Sequence, residues 1–359
     1  MRILVTVKSC EYDNGLGGMG RACVFNYDIL KSLGHDVHVV SPNLNTGNEV
    51  ETKRGITFYC GGGKPKTYTG EFFHKSRDIV NKLKPDLIVS HSGSGQGVVD
   101  LKIPKIFVSH GHGVQFTDTY LLEHFLISKK GDFKTKYFQK TQEIWNKSRN
   151  FLLKFNKCVF LTETSMRQLR DRFMVPQAVY IPLSVDETKI FKVEKEYDVV
   201  VCANALSMPY KGFNYAKKVI ESLGIRAIII GATGKNTDKI TYTGHLNKIK
   251  DVYTNMCRAK VSLELSYHQS GLNMVKLESL YNRLPIIGWN VGSSYATIDE
   301  DKNGYIVPFG DMNTLKERIL RAKENHKRLS CGSVDKYNSE FSNKWYIRNW
   351  EDMILGLVK

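Results

Sequence analysis

Short apolar runs rich in β-branched residues punctuate the first half of the chain: RILVTV, DVHVVS, ITFYC, DLIVS, KIFVS and KCVFLT. Amphipathic stretches such as RACVFNYDILKSLG separate them. Runs too apolar to alternate predict strands covered on both faces, and their alternation with helices predicts βαβ units around a parallel sheet. After VYIPLSVDETKIF the pattern begins again with YDVVVCAN, a helical NYAKKVIESLG, then RAIIIGA, KITYTG, KVSLELS and LPIIGW. This predicts a second sheet of the same kind. The boundary falls within 182–196, where the periodicity lapses into the charged KVEKEYD. The expected organisation is α/β throughout: one domain over 1–185, a second over 186–342, and a C-terminal helix at about 343–359 packing back on the first. No repeat of solenoid period is present.

At 359 residues, with 42% hydrophobic and 25% charged positions, the chain has enough apolar material for two cores and falls outside the disordered and low-complexity classes. Lys8 and Glu11 interrupt the first apolar run, which reads as a buried strand rather than a leader peptide. No later stretch reaches the roughly 18 apolar residues of a membrane-spanning helix. Seven scattered cysteines without Cys-x-x-Cys or Cys/His metal spacing fit a reduced, cytoplasmic setting. The formal net charge of +16 favours polyanionic partners, whether nucleic acid, an anionic membrane face or phosphorylated substrates.

The first strand leads into a glycine-rich segment, residues 15–21, with a helix starting near Ala22. Glycines at a strand-to-helix turn let backbone N–H groups approach a phosphate, and the helix N-terminus adds partial positive charge. A flexible turn is the plainer reading of such a loop taken alone.

The segments that follow form an ordered set. His110-Gly111-His112 comes after KIFVS, and KCVFLTETSMRQLRDRF supplies a strand followed by a basic helix. VYIPLSVDETKIF, YKGF at 210–213, KITYTGHLNKIKDVYTNMCRAKVSLELS and KLESLYNRLPIIGW complete it. In this order the set resembles the family-four retaining glycosyltransferases. The resemblance implies the GT-B fold, two Rossmann-like domains facing across a cleft, with the acceptor on the first domain and the nucleotide sugar on the second. It also implies that no tightly bound cofactor and no metal ion is needed.

The chemistry of a nucleotide sugar accounts for these residue types. Negative charge builds on the diphosphate as the glycosidic bond breaks and must be stabilised. The resemblance assigns Lys211 and Gly212 to that diphosphate, with backbone donors from Gly17, Gly18 and Gly20, and Glu278 to the ribose hydroxyls, a task suited to two carboxylate oxygens. Gly244, His245 and Leu246, and Ser270, Gly271 and Leu272, match stretches lining the nucleotide. His110 is expected to contact the donor sugar and His112 the acceptor; alternate positions on extended chain point to opposite sides. A solvated lysine, a helix-surface glutamate and hydrogen-bonded core histidines are the structural alternatives.

Three positions depart from the family pattern. Ser270 stands where the family carries a glutamate eight positions before Glu278. The stretch ANALSMPYKG lacks the usual arginine upstream of Lys211, leaving Arg258 or Lys276 as candidate substitutes. Leu183 and Ser184 replace an Asn-Gly pair. Asp299 and Asp301 have the spacing of a metal-binding D-x-D but precede Asn303-Gly304 and read as an acidic surface turn.

For the acceptor, segment 129–157 holds nine basic residues, including Lys134, Lys136 and Lys140, interleaved with Phe133, Tyr137, Phe138, Trp145, Phe151 and Phe155. That composition suits a nucleic-acid backbone with extruded bases or an anionic membrane surface, and a solvated, half-buried helix is the plain alternative. The H-x-H, the YKGF sequence and the Leu-Glu helix are similar to the bacteriophage DNA α-glucosyltransferases, although Gly111 stands where that group has an aspartate. The expectation is therefore a hydroxymethylated pyrimidine in DNA, with a cell-envelope lipid or polysaccharide as the alternative. A catalytically inactive GT-B module that binds nucleic acid is a reading of a different class.

Overall fold

The computed structural model describes residues 1–7, 18–44, 46–62, 69–110, 143, 146–189, 193–203, 206–267 and 271–358. The chain divides into two compact units, Met1–Pro182 with Tyr346–Lys359, and Leu183–Trp345.

The first unit is built on a sheet of eight strands: β1 (Arg2–Thr6), β2 (Asp36–Ser41), β3 (Val50–Lys53), β4 (Ile56–Cys60), β5 (Leu87–His91), β6 (Lys105–Ser109), β7 (Lys157–Phe160) and β8 (Ala178–Tyr180). Their order is β3-β4-β2-β1-β5-β6-β7-β8, and only the β3–β4 pair is antiparallel. Ile3, Leu4 and Val5 are wholly buried, as a central strand covered on both faces requires. Helix α1 (Gly18–Ser32) buries Gly20, Cys23, Tyr27 and Leu30 along one stripe of helical spacing. Helix α2 (Gly70–Leu83) is capped by Thr69, whose side chain accepts from the Phe72 N–H, and ends at Lys84 in the left-handed region.

The second unit carries six parallel strands: β9 (Tyr197–Cys202), β10 (Ala227–Ile230), β11 (Ile240–Gly244), β12 (Ala259–Glu264), β13 (Ile286–Trp289) and β14 (Gly304–Val307). Their order is β11-β10-β9-β12-β13-β14. This is the pair of parallel-sheet α/β units that the alternating pattern predicts. The last helix, Asn343–Val358, begins in the second unit and from Tyr346 onward belongs to the first, burying Tyr346, Trp350 and Ile354 at i, i+4 and i+8. No helix among the described residues is long and apolar enough to cross a membrane.

Strand order locates the crevices. In open α/β sheets a ligand sits beyond the carboxyl ends of the strands where the winding reverses direction. In the first sheet the reversal lies between β1 and β5, and in the second between β9 and β12.

Candidate active site

In the second unit, the loops leaving β9 and β12 meet at Gly212. This glycine has φ 70°, and a Cβ placed on it would lie 2.0 Å from the Leu265 carbonyl oxygen. Only glycine permits both the left-handed backbone and that approach. Tyr267 N–H donates to the Tyr210 carbonyl at 2.9 Å, closing the same contact one turn earlier. Lys211 is thereby held at the end of a single 3₁₀ turn, Pro209–Lys211, with its ammonium 5.5 Å from the Tyr210 ring centre. Replacing Gly212 with Ala is expected to destabilise the protein by more than about 1 kcal/mol. Denaturant unfolding measures this, and an unchanged midpoint would show that the loop shifts freely.

Below this contact lies a charged group that the sequence reading missed in part. Glu264, at the carboxyl end of β12, and Lys276, in the helix Met274–Tyr281, are 3% and 2% exposed. Charged side chains are rarely buried this deeply without partners. Asn273 caps the helix by accepting from the Val275 N–H and donates its own Nδ2–H to Glu264 Oε1 at 2.8 Å. Lys276 Nζ donates to Ser294 Oγ at 2.7 Å. Burial raises the Glu264 carboxyl above its ordinary pKa, against the fields of Lys276 and Lys211. Burial also pulls Lys276 down to about 8, with Glu264 opposing the shift and Lys211 adding to it. Lys211, Glu264 and Lys276 thus form one electrostatic cluster at the β9/β12 reversal. Glu264 escaped notice because one glutamate closing the apolar KVSLELS run resembles an ordinary strand end.

Glu278 follows Lys276 on the same helix and is 1% exposed, so it is not the surface glutamate of the structural alternative. Gly271, at φ 74°, and Leu272 are buried in the turn before that helix. Gly244 closes β11 at φ 69° beside the end of β10, His245 is exposed, and Leu246 is half-buried against the core. Tyr215, Tyr267, Trp289 and Phe309 pack together, with ring centres 5.2 to 5.9 Å apart, and join the ends of β12, β13 and β14. Arg258, the other candidate substitute cation, lies at the opposite end of β12 from this cluster. It precedes the amino end of β12 and makes two 2.8 Å hydrogen bonds to Glu196.

In the first unit, Gly18 and Gly20 form the first turn of α1. His110 directly follows β6, and its Nε2 lies 2.7 Å from Nδ1 of His91, the last residue of β5. The two ring planes are within 18° of parallel with centres 5.0 Å apart, so the rings lie side by side, as an in-plane hydrogen bond requires. His91 Nε2 meets Asn26 Oδ1 at 3.1 Å, Asn26 Nδ2 donates to the Tyr346 hydroxyl at 3.1 Å, and Cys23 Sγ lies 3.9 Å from His110 Nε2. Burial holds His110 down to about 4 and His91 well below its ordinary value, so both rings are neutral near pH 7. Cys23, His91 and His110 come within metal-binding reach of one another although their sequence spacing gives no such signal. The 2.7 Å contact between two ring nitrogens is a hydrogen bond, shorter than the edge of a zinc tetrahedron, about 3.3 Å for Zn–N bonds near 2.0 Å.

Gly17, His112, Lys134, Lys136, Lys140 and Ser270 lie outside the described residues. The described end of the basic aromatic segment reads differently from the sequence expectation. Phe155 is 4% exposed, and it and Phe151 pack against Phe107 in a core with Leu152. Lys154 pairs with Asp100 and Lys147 with Glu143, each at 2.5 Å. These two aromatics are core, not stacking surfaces: Phe151, in a helical stretch, and Phe155, in the bend that follows it, both pack on Phe107 of β6. The acidic turn is occupied by cations: Asp299 pairs with Lys336, Glu300 with Arg318, and Asp301 with Arg321 and Arg328.

A family model described as Glycosyltransferase Family 4 matches residues 16–189, and one described as Glycosyl transferases group 1 matches residues 186–333. Together the two matches span 16–333, and the chain is a GT-B glycosyltransferase of the family-four-like kind. It is 24% identical over 299 residues to the uncharacterized glycosyltransferase MJ1178 of Methanocaldococcus jannaschii, covering 79% of this chain and 77% of that one. The fold is similar to that of a sucrose-phosphate synthase from Thermosynechococcus elongatus, with TM-score 0.80 at 15% identity over 99% of both chains. It is also similar to Anabaena HepE solved with UDP-glucose, with TM-score 0.72 at 12% identity over 99% of this chain and 100% of that one. The glycosyltransferase has the two-unit GT-B architecture, and each reversal of strand order coincides with residues that the sequence singled out.

Proposed function

We propose that this glycosyltransferase takes a sugar from a UDP-sugar bound at the β9/β12 crevice and transfers it, with retention of anomeric configuration, to a hydroxyl on an anionic carbohydrate or lipid acceptor. The observation that carries the donor reading is the cluster of Lys211 and Lys276 around a single carboxylate, Glu264, whose own ionisation burial opposes. An excess of desolvated positive charge favours an anion such as a diphosphate. Glu278 holds the ribose hydroxyls, Gly244, His245 and Leu246 flank the base, and His110 meets the donor sugar. HepE crystallised with UDP-glucose supports uridine as the nucleotide.

In the retaining reaction the bond between the anomeric carbon and the phosphate oxygen breaks, and its electron pair leaves with the diphosphate. The acceptor oxygen bonds to the same face, and its proton passes to the departing phosphate oxygen. Lys211 and Lys276 stabilise the charge that develops there, supplying what the missing arginine would have contributed.

Lys276 gives the donor site a pH signature. Its depressed pKa means that it loses its proton as the pH rises through about 8, so affinity for UDP falls above that pH. Lys276→Met should remove the dependence and bind weakly throughout, as calorimetry at pH 6.5 to 9.5 would show; an unchanged profile would take Lys276 out of the site. Between about 8 and its ordinary value of 10.5 the unfolded chain holds more protons at this position, so the stability contribution of Lys276 rises with pH across that window.

The structural similarity to a sucrose-phosphate synthase favours a carbohydrate acceptor, and the packing of Phe151 and Phe155 into the core takes away two of the aromatics a DNA or membrane surface would use. A hydroxymethylated pyrimidine in DNA is the second reading, favoured by the +16 charge and by the lysines at 134, 136 and 140. Mass spectrometry after incubation with several UDP-sugars separates them. Sugar added to polyprenyl-linked or polysaccharide acceptors supports the first reading. Labelled hydroxymethylcytosine DNA with unlabelled lipid and polysaccharide replaces it with the second. A folded protein that neither transfers to any acceptor nor hydrolyses any donor contradicts both.

A further inference from the structure

We infer that His91, Asn26 and Tyr346 are positioning residues that fix the tautomer of His110, leaving its Nδ1 a bare hydrogen-bond acceptor. The role of that acceptor in transfer rests on His110 meeting the donor sugar. The orientation of the Asn26 amide sets the direction of the contacts. With its Nδ2 donating to the Tyr346 hydroxyl, its carbonyl oxygen faces His91 Nε2, which then carries the hydrogen. His91 Nδ1 is then a lone pair, and at 2.7 Å it accepts from His110 Nε2–H. A neutral imidazole has one N–H, so His110 Nδ1 is unprotonated and can accept from a sugar hydroxyl but cannot donate to one.

Three elements build this relay. Asn26 and Cys23 come from α1, His91 ends β5, and Tyr346 belongs to the C-terminal helix and packs its ring 5.1 Å from that of Phe25. Among the described residues, Cys23, His91 and Tyr346 are titratable groups that meet the relay from these elements. His91 and Asn26 are each 1% exposed, so water does not compete for these hydrogen bonds. The depressed His110 pKa accords with a ring kept neutral in this arrangement. Neither KIFVSHGHG nor DLIVSHSGSG signals the pairing locally, because the two histidines are 19 positions apart.

The test is histidine-selective ¹⁵N NMR of the full chain together with kinetics. The spectrum of the folded enzyme near pH 7 should show His110 as the Nε2–H tautomer with bare Nδ1. His91→Leu removes the acceptor and should mix the tautomers and lower kcat/KM by roughly tenfold or more. His91→Asn, whose Oδ1 occupies the place of Nδ1, should restore both. Tyr346→Phe gives a second perturbation should His91→Leu fail to fold, and it too should shift the His110 ring signals. An Nδ1–H tautomer for His110, or ring signals indifferent to these substitutions in folded protein, would overturn the relay. So would one bound zinc per chain that is lost in Cys23→Ser, which would make the three side chains ligands. Full activity in His110→Ala would instead remove the donor-sugar reading, while the NMR result would still report on the relay.

Discussion

Replacing Lys211 with Met is expected to lower turnover by about 100-fold or more while leaving the folded structure in place. Methionine keeps most of the apolar stem and loses the ammonium, with its place over the Tyr210 ring. The backbone at this position is fixed by Gly212 and the Tyr267–Tyr210 hydrogen bond, neither of which involves the lysine side chain. The charge contributes most when the diphosphate gains charge in bond breaking, so kcat should fall more than donor affinity. Steady-state kinetics beside thermal unfolding measures this. A collapse in stability with full activity in the remaining folded enzyme would make Lys211 a structural residue.

The second large effect is at Glu278. Exchange for Gln keeps the shape of the side chain but replaces an anionic acceptor of two hydrogen bonds with a neutral group. Hydrogen bonds to charged groups contribute roughly 1.5 to 3 kcal/mol, so UDP affinity should fall by about ten- to a hundredfold. Because Glu278 is 1% exposed on a helix buried along most of its length, burying an amide there costs less than burying a carboxylate, and stability should hold or rise. Calorimetry with UDP, and with the free base as a control lacking the ribose, reads the effect. Equal affinity of Glu278→Gln and the parent for UDP would show that the carboxylate does not meet the ribose.

The fold was legible in the chain because its signal is local. Runs such as RILVT and AIII are apolar on both faces, which only central strands of a covered parallel sheet require, and glycine and charged segments mark where each ends. Lys211 and Glu278 were singled out as donor-site candidates for a similar reason, each sitting in a short motif. What stayed hidden depends on pairing between distant positions. Glu264 and Lys276 acquire meaning only when β12 and the following helix bring them into one dry cluster. His91 becomes more than a strand-end histidine only when β5 and β6 lie side by side. Phe151 and Phe155 show the opposite case: basic residues around aromatics look like a nucleic-acid surface, but both rings pack into the core while Lys147 and Lys154 pair with acidic side chains.

The central claim is that the crevice between the carboxyl ends of β9 and β12 holds the donor diphosphate. A crystal structure of the full chain with UDP tests it most directly. The expected density places the diphosphate within hydrogen-bond distance of Lys211 Nζ and the ribose hydroxyls on the Glu278 carboxylate. Nucleotide bound elsewhere, with both side chains remote from it, would contradict the account.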